Sequence, residues 1–159
     1  SLDLSESRYV SEETYVDRIQ RLEPTHNDIL YSREGGILGV ACRIPPGVKL
    51  CLGQRMMLIR VGEATTAQFL EMVLNSPFIT TIARTRTTGG AAPRVNVATI
   101  KAYPIPLPPL AEQQRIVAKV DELMALCDRL EAQLTTTHTE SRHLLEAVLH
   151  EALKPAITQ

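Results

Sequence analysis

Between Arg84 and Arg94 the chain reads Arg-Thr-Arg-Thr-Thr-Gly-Gly-Ala-Ala-Pro-Arg, with three arginines, three hydroxyls and two glycines but no acid. Guanidinium forks, hydroxyls and the open amides of a glycine loop are the groups that hold phosphate oxygens in place. Arg84, Arg86 and Arg94, with Thr85 and Thr87 as secondary donors, form one candidate anion-contacting set. The competing reading of the stretch is a solvated surface loop. A second stretch, Ser32-Arg33-Glu34-Gly35-Gly36, follows a strand-like run. It has neither the GxxxxGK[ST] nor the GxGxxG pattern, so it is not a nucleotide-phosphate loop. Its glycines suit a tight turn that displays Ser32, Arg33 and Glu34. An Arg fork on such a turn fits a guanine edge or a phosphate.

Nothing in the chain assembles catalysis. His26, His138, His143 and His150 are scattered without metal-ligand spacing, and HExxH and GxSxG are absent. Glu12-Glu13 stands on polar ground with no local group to shift a pKa. The amino-methyltransferase signature Asn/Asp-Pro-Pro-Tyr/Phe is also absent. With no Trp and two Phe, a platform for stacking single-stranded bases is poorly supported. No metal and no cofactor is expected. Cys42, Cys51 and Cys127 form neither a disulfide framework nor a zinc cluster. A Cys42–Cys51 bridge is weighed against two buried free thiols on adjacent strands, and the thiols are preferred. That pattern suggests a reducing, cytoplasmic setting.

The elements that position these residues fall in two parts. Residues 1–108 carry 12 Lys/Arg against 10 Asp/Glu, and ten of those bases are arginine. Residues 109–159 carry 5 against 8. The first part reads as mixed α/β. Asp28 to Ser32, Gly39 to Ile44 and Arg55 to Val61 are expected strands, separated by the Gly35-Gly36 and Pro45-Pro46-Gly47 turns. Phe69, Leu70, Val73 and Leu74 mark a helix from about Thr66 to Asn75, capped by Thr65 or Thr66. Pro77 opens another helical stretch, and Asn96 is expected to cap a short helix from Val97 to Ala102.

A proline cluster, Pro104 to Pro109, is expected to be extended and to run directly into a helix. From Leu110 to Leu134 nearly every residue is a good helix former. Ile116, Leu123 and Leu130 repeat at seven, and Val120, Cys127 and Leu134 repeat at seven behind them. This is a coiled-coil seam, which a four-residue stutter carries on to Leu145. A break or loosening is expected at Thr135 to His138, and Pro155 is expected to end the helix. The chain contains 159 residues, 44% of them hydrophobic, and its net charge is −1. A folded core is therefore expected, and no apolar run is long enough for a membrane span. The chain does not start with Met, so a missing front end is expected. Its polar, acidic opening from Ser1 to Glu6 is not expected to be a secretory leader.

Three stretches together resemble one family. Asp28-Ile-Leu-Tyr-Ser-Arg-Glu-Gly-Gly-Ile-Leu-Gly-Val is similar to a stretch in the target recognition domains of type I restriction–modification specificity (S) subunits. Ala91-Ala-Pro-Arg-Val-Asn-Val-Ala-Thr-Ile resembles the segment that closes such a domain. Pro106-Leu-Pro-Pro-Leu-Ala-Glu-Gln-Gln-Arg-Ile-Val-Ala-Lys-Val-Asp-Glu-Leu resembles the junction into the family's conserved helical region. The resemblance implies a non-catalytic module for recognising double-stranded DNA. One recognition domain reads one half of a bipartite site, and the helical regions dock methyltransferase (M) subunits, which restriction (R) subunits join.

By resemblance, residues 1–108 are most of a target recognition domain, short of its opening strands. Residues 109–155 are a helical spacer or dimerisation region, and the ending resembles a C-terminal half. On this reading Arg84 and Arg86 touch phosphates and Arg33 a base edge, with Ser32, Thr85 and Thr87 as secondary donors. Arg94 is either a contact or part of the packing, and Asn96 is structural. The helical stripe of Ile116, Val120, Leu123, Cys127, Leu130 and Leu134 is expected to make the isolated chain a homodimer. The alternatives are a helical scaffold piece that does not bind DNA by itself and a small-molecule enzyme with a dimerisation helix.

Overall fold

The computed structural model describes residues 2, 5, 7–88 and 93–153. The chain divides into two compact units, Ser1–Val117 and Ala118–Gln159.

The first unit is built on a three-stranded antiparallel sheet. Strand β1 (Ile29–Ser32) lies between β2 (Ala41–Arg43) and β3 (Met56–Ile59). Leu30 pairs with Cys42 on one side and with Leu58 on the other. All four residues of β1 are buried, as a central strand covered on both faces requires. The strands are shorter than the apolar runs suggest, because the Pro45 and Gly53 turns take the run ends. Cys51 lies outside any strand. Cys42 and Cys51 are both free and half-buried, which corrects the expectation of two buried thiols on adjacent strands.

Helix α1 (Glu12–Ile19) precedes the sheet and went unread in the sequence. It buries only Tyr15, so its apolar stripe is too thin to register. Its start is nevertheless fixed by Ser11, whose hydroxyl accepts from Thr14 N. Helix α2 (Ala67–Leu74) starts at Thr66, as expected, with Thr66 Oγ1 accepting from Phe69 N at 3.2 Å. It also closes the open edge of β2. The Asn75 amide accepts from Ala41 N and donates to Ala41 O, both at 2.9 Å. One turn earlier, Glu71 Oε1 accepts from Arg43 N at 3.1 Å, and Glu71 Oε2 pairs with Arg43 Nε. Two side chains at i and i+4 thus stand in for a missing strand.

Helix α3 (Pro77–Thr85) has Ser76 as its cap and Pro77 in its first turn. It takes in Arg84 and Thr85, which the sequence had placed in a loop. Helix α4 (Val97–Lys101) follows Asn96, but the Asn96 side chain makes no capping bond, contrary to expectation. The core gathers Ile29, Tyr31, Phe69, Val73, Ile79 and Val95 with their neighbours. Tyr31 and Tyr103 meet edge to face, their hydroxyls 3.1 Å apart. Burial and that contact push the Tyr31 hydroxyl pKa well above its ordinary value.

Helix α5 (Leu110–Leu153) follows the proline segment directly. Its opening turns belong to the first unit, where Val117 is buried and Ile116 is packed against the core. Gln113, fully buried, uses both ends of its amide. Its Oε1 accepts from Thr65 Oγ1 and Thr66 N, both at 3.0 Å. Its Nε2 donates to Ala64 O and Pro108 O, both at 2.9 Å. The second unit is α5 from Ala118 onward, and every residue from Asp121 to Leu153 is exposed. The helix runs without a break through Thr135–His138, where a loosening had been expected. Thr135, Thr136 and Thr139 turn their hydroxyls back onto the carbonyls of Glu131, Ala132 and Thr135. With no Gly or Pro, nothing there forces the ladder open. The expected stop at Pro155 lies outside the described residues.

Candidate nucleic-acid interface

The two stretches singled out in the sequence meet in the fold. Strand β1 runs one residue past its end. Arg33 N donates to Arg55 O at 3.0 Å, which continues the β1–β3 register and sets Arg33 across from Arg55. On the other side Val95 N donates to Arg33 O at 2.8 Å and Gly35 N to Pro93 O at 3.2 Å. Glu34 is bridged to Arg94, and Arg94 to Thr88 through two backbone bonds of 2.9 and 3.0 Å. The 33–35 turn therefore lies between the Gly53–Arg55 turn and the closing segment. Gly35 adopts φ +93°, a left-handed conformation that glycine takes at no steric cost.

The expected contact residues are not equivalent. Ser32 is 2% exposed, so it is buried rather than displayed on the turn. Arg33 is half-buried. Its Nε and Nη2 donate to Gln54 O at 3.3 and 3.1 Å, which fixes the plane of the guanidinium and leaves its other N–H groups unclaimed among the described residues. Arg84, Arg86 and Arg94 are exposed, and their side chains make no hydrogen bond or ion pair to a described residue. Thr85 Oγ1 donates to Thr81 O and Ile82 O, and Thr87 Oγ1 to Arg84 O. Both hydroxyl protons are thus turned inward, and what these residues offer a ligand is an acceptor. Gly89 to Ala92, the middle of the loop, lie outside the described residues.

Arg55 was not singled out in the sequence, and Gln113 was quoted within the junction stretch without its buried bonds being foreseen. Arg55 follows Gln54 at a turn, and its contribution depends on a register the sequence does not display. The acid–base pair of Asp28 and Arg60 was missed too. Arg60 Nε and Nη2 donate to the two Asp28 oxygens at 2.7 and 2.6 Å, and Thr25 N donates to Oδ2 at 2.8 Å. The Arg60 guanidinium holds the Asp28 carboxyl below its ordinary pKa. Asp28, one of the residues behind the family resemblance, is a strut at the start of β1.

An apolar hollow of about 570 Å³ lies between α2, α3 and the proline segment, lined by Met72, Val73, Phe78, Pro104, Ile105 and Pro106 together with Ser76. Ser76 Oγ accepts from Ile79 N as a helix cap, and no acid or base lines the hollow. Among the described residues no three His, Cys, Asp or Glu gather as a metal site. No described helix is long and apolar enough to cross a membrane.

The type I restriction modification DNA specificity domain matches residues 5–137. The chain belongs to this family. It is 37% identical over 90 residues to the type I restriction enzyme EcoEI specificity subunit of Escherichia coli, spanning 56% of this chain and 15% of that protein. Its similarity to the EcoBI specificity subunit of Escherichia coli covers 99% of this chain and 33% of that protein at 25% identity. Its structure is similar to that of the HsdS subunit from Thermoanaerobacter tengcongensis, with a TM-score of 0.72 and 26% identity. That match covers 86% of this chain and 36% of the other. This specificity-domain chain thus spans about a third or less of the length of these relatives. The family match over residues 5–137 takes in both the α/β unit and the first part of α5.

Proposed function

We propose that this chain is a non-catalytic recognition module for double-stranded DNA in a cytoplasmic type I restriction–modification assembly. Residues 1–108 face one half of a bipartite site, and residues 109–155 form the helical region that sets spacing and docks M subunits, with R subunits joining them. The observation that carries this reading is the backbone ladder joining the Arg33–Gly35 turn to the Thr88–Val95 segment, with Arg84, Arg86 and Arg94 exposed around it. Exposed guanidiniums that make no ion pair to a described residue suit phosphates. Arg33, held in plane by Gln54 O, suits a base edge, because a fork must be oriented to discriminate. A mobility-shift assay of this chain on duplex DNA at low salt tests the reading. Replacing Arg84 and Arg86 with Ala is expected to weaken binding to every duplex and to lower the salt slope by about 2. An unchanged slope removes that loop from the DNA face.

A second reading concerns α5. Leu123, Leu130 and Leu134 of the stripe are 48–70% exposed, and Cys127 is exposed as well. Ile116, by contrast, packs onto the core of its own unit, so the free stripe begins at Val120. Such a stripe suits a partner helix, and we propose that two copies of the chain supply it to one another, antiparallel.

A further inference from the structure

We infer that Arg55 and Glu34 form a gated phosphate contact beside Arg33, an inference that rests on the DNA reading above. The continued β1–β3 register sets Arg33 and Arg55 opposite each other on one face, and like charges so placed repel. Among the described residues each is steadied by one acceptor. Arg33 is tied to Gln54 O, whereas Arg55 Nε stands 3.9 Å from Glu34 Oε1. The second contact is long, and the Arg55 side chain is 74% exposed while that of Glu34 is 24% exposed. Glu34 therefore holds Arg55 near the turn without sealing it.

A phosphate oxygen arriving there relieves the repulsion between the two arginines and draws the Arg55 fork away from Glu34. The same carboxylate gates the contact, since a phosphate that engages Arg55 must compete with Glu34 for its guanidinium, whereas one that does not leaves the Arg55–Glu34 pair in place. The turn at Gly53–Arg55 thereby becomes a third contacting segment, between β2 and β3 in the chain and unrelated in sequence to the other two. Its job is to anchor the backbone next to the base edge that Arg33 reads.

The test is fluorescence anisotropy of the full 159-residue chain with a labelled 30-base-pair duplex of mixed sequence, titrated at several salt concentrations. Arg55→Ala is expected to lower the salt slope by about 1 and to weaken low-salt binding roughly tenfold. Arg55→Lys keeps the charge and is expected to keep the slope, which a purely structural role for the guanidinium would not predict. Glu34→Gln is expected to tighten binding several-fold in the unsubstituted background and much less in Arg55→Ala. The Arg84→Ala/Arg86→Ala variant serves as reference. If Arg55→Ala leaves slope and affinity unchanged while the reference variant lowers both, this inference fails and the DNA reading stands. If neither variant changes them, or if the unsubstituted chain does not bind the duplex, both fail.

Discussion

Asp28 and Gln113 show what individual residues of the stretches that resemble the family do physically. Both are almost wholly buried polar groups, and both are fully engaged. Gln113→Ala would strip partners from a backbone N–H, a hydroxyl and two carbonyls in the interior. Unpaired buried groups cost about 1–3 kcal/mol each, and partial relaxation brings the expected loss to about 3 kcal/mol. Thermal unfolding of the variant should fall by roughly 10–20 °C. Gln113→Glu should not restore it, because a carboxylate cannot donate to Ala64 O and Pro108 O. Asp28 governs a pH dependence. Its folded pKa lies below the ordinary 3.8. Its contribution is thus complete above that value and is lost as pH falls through the lower folded pKa. Asp28→Asn should leave a protein less stable at neutral pH whose stability changes less between pH 5 and pH 2. Chemical denaturation at each pH checks this, and parallel curves for the two proteins would refute it.

Among the elements, those read correctly from sequence had two agreeing signals, and those misread had one. Helix α2 combined helical spacing with a Thr66 cap, and α3 combined helical spacing with Pro77 in its first turn, although α3 runs on through Arg84 and Thr85. The strands combined apolar runs with glycine or proline turns. Helix α1 had only its cap, since one buried residue gives no periodicity. Asn96 had the right residue type and position, but its side chain does not reach a free N–H. Tertiary pairs such as Asn75 with Ala41 or Arg33 with Arg55 were invisible, because they depend on register. In the candidate site the arginines were legible as types, while the burial of Ser32 and the approach of Arg55 were not. The threonine run in α5 was misread for a local reason. Thr has a lower helix propensity than Ala, but the cost is about half a kcal/mol per residue, too little to break a helix flanked by good formers. Replacing Thr135, Thr136 and Thr139 with Ala should therefore raise stability, by about 1–2 kcal/mol in all. Far-UV circular dichroism during melting measures this. A loss of helix would show instead that the hydroxyl-to-carbonyl bonds hold the segment.

For the whole molecule, the question is what covers the stripe of α5. The helix is 44 residues long, about 66 Å at 1.5 Å per residue, and only Gln113 and Val117 along it are buried. An exposed Leu or Val gains roughly 1 kcal/mol when its remaining apolar surface is covered. About eight seam side chains from Val120 to Leu149 are available in each copy, so a dimer gains roughly 16 kcal/mol. Association costs about 4–15 kcal/mol in lost freedom. A mid-range cost of about 9.5 kcal/mol leaves about 6.5 kcal/mol, equivalent to a dissociation constant of roughly 20 μM. Sedimentation equilibrium from about 1 to 100 μM spans that value and should show a monomer passing to a dimer. Leu123→Asp together with Leu130→Asp places two charges in the middle of the seam and should leave a monomer throughout. The helix content of that variant should persist, since both positions are exposed and neither contributes to the core of the first unit. A monomeric unsubstituted chain at the highest concentration would refute self-pairing and leave the stripe to a helix of different sequence. Mixing the chain with such a helix, as a peptide whose seam is also apolar, would then restore a complex of one to one.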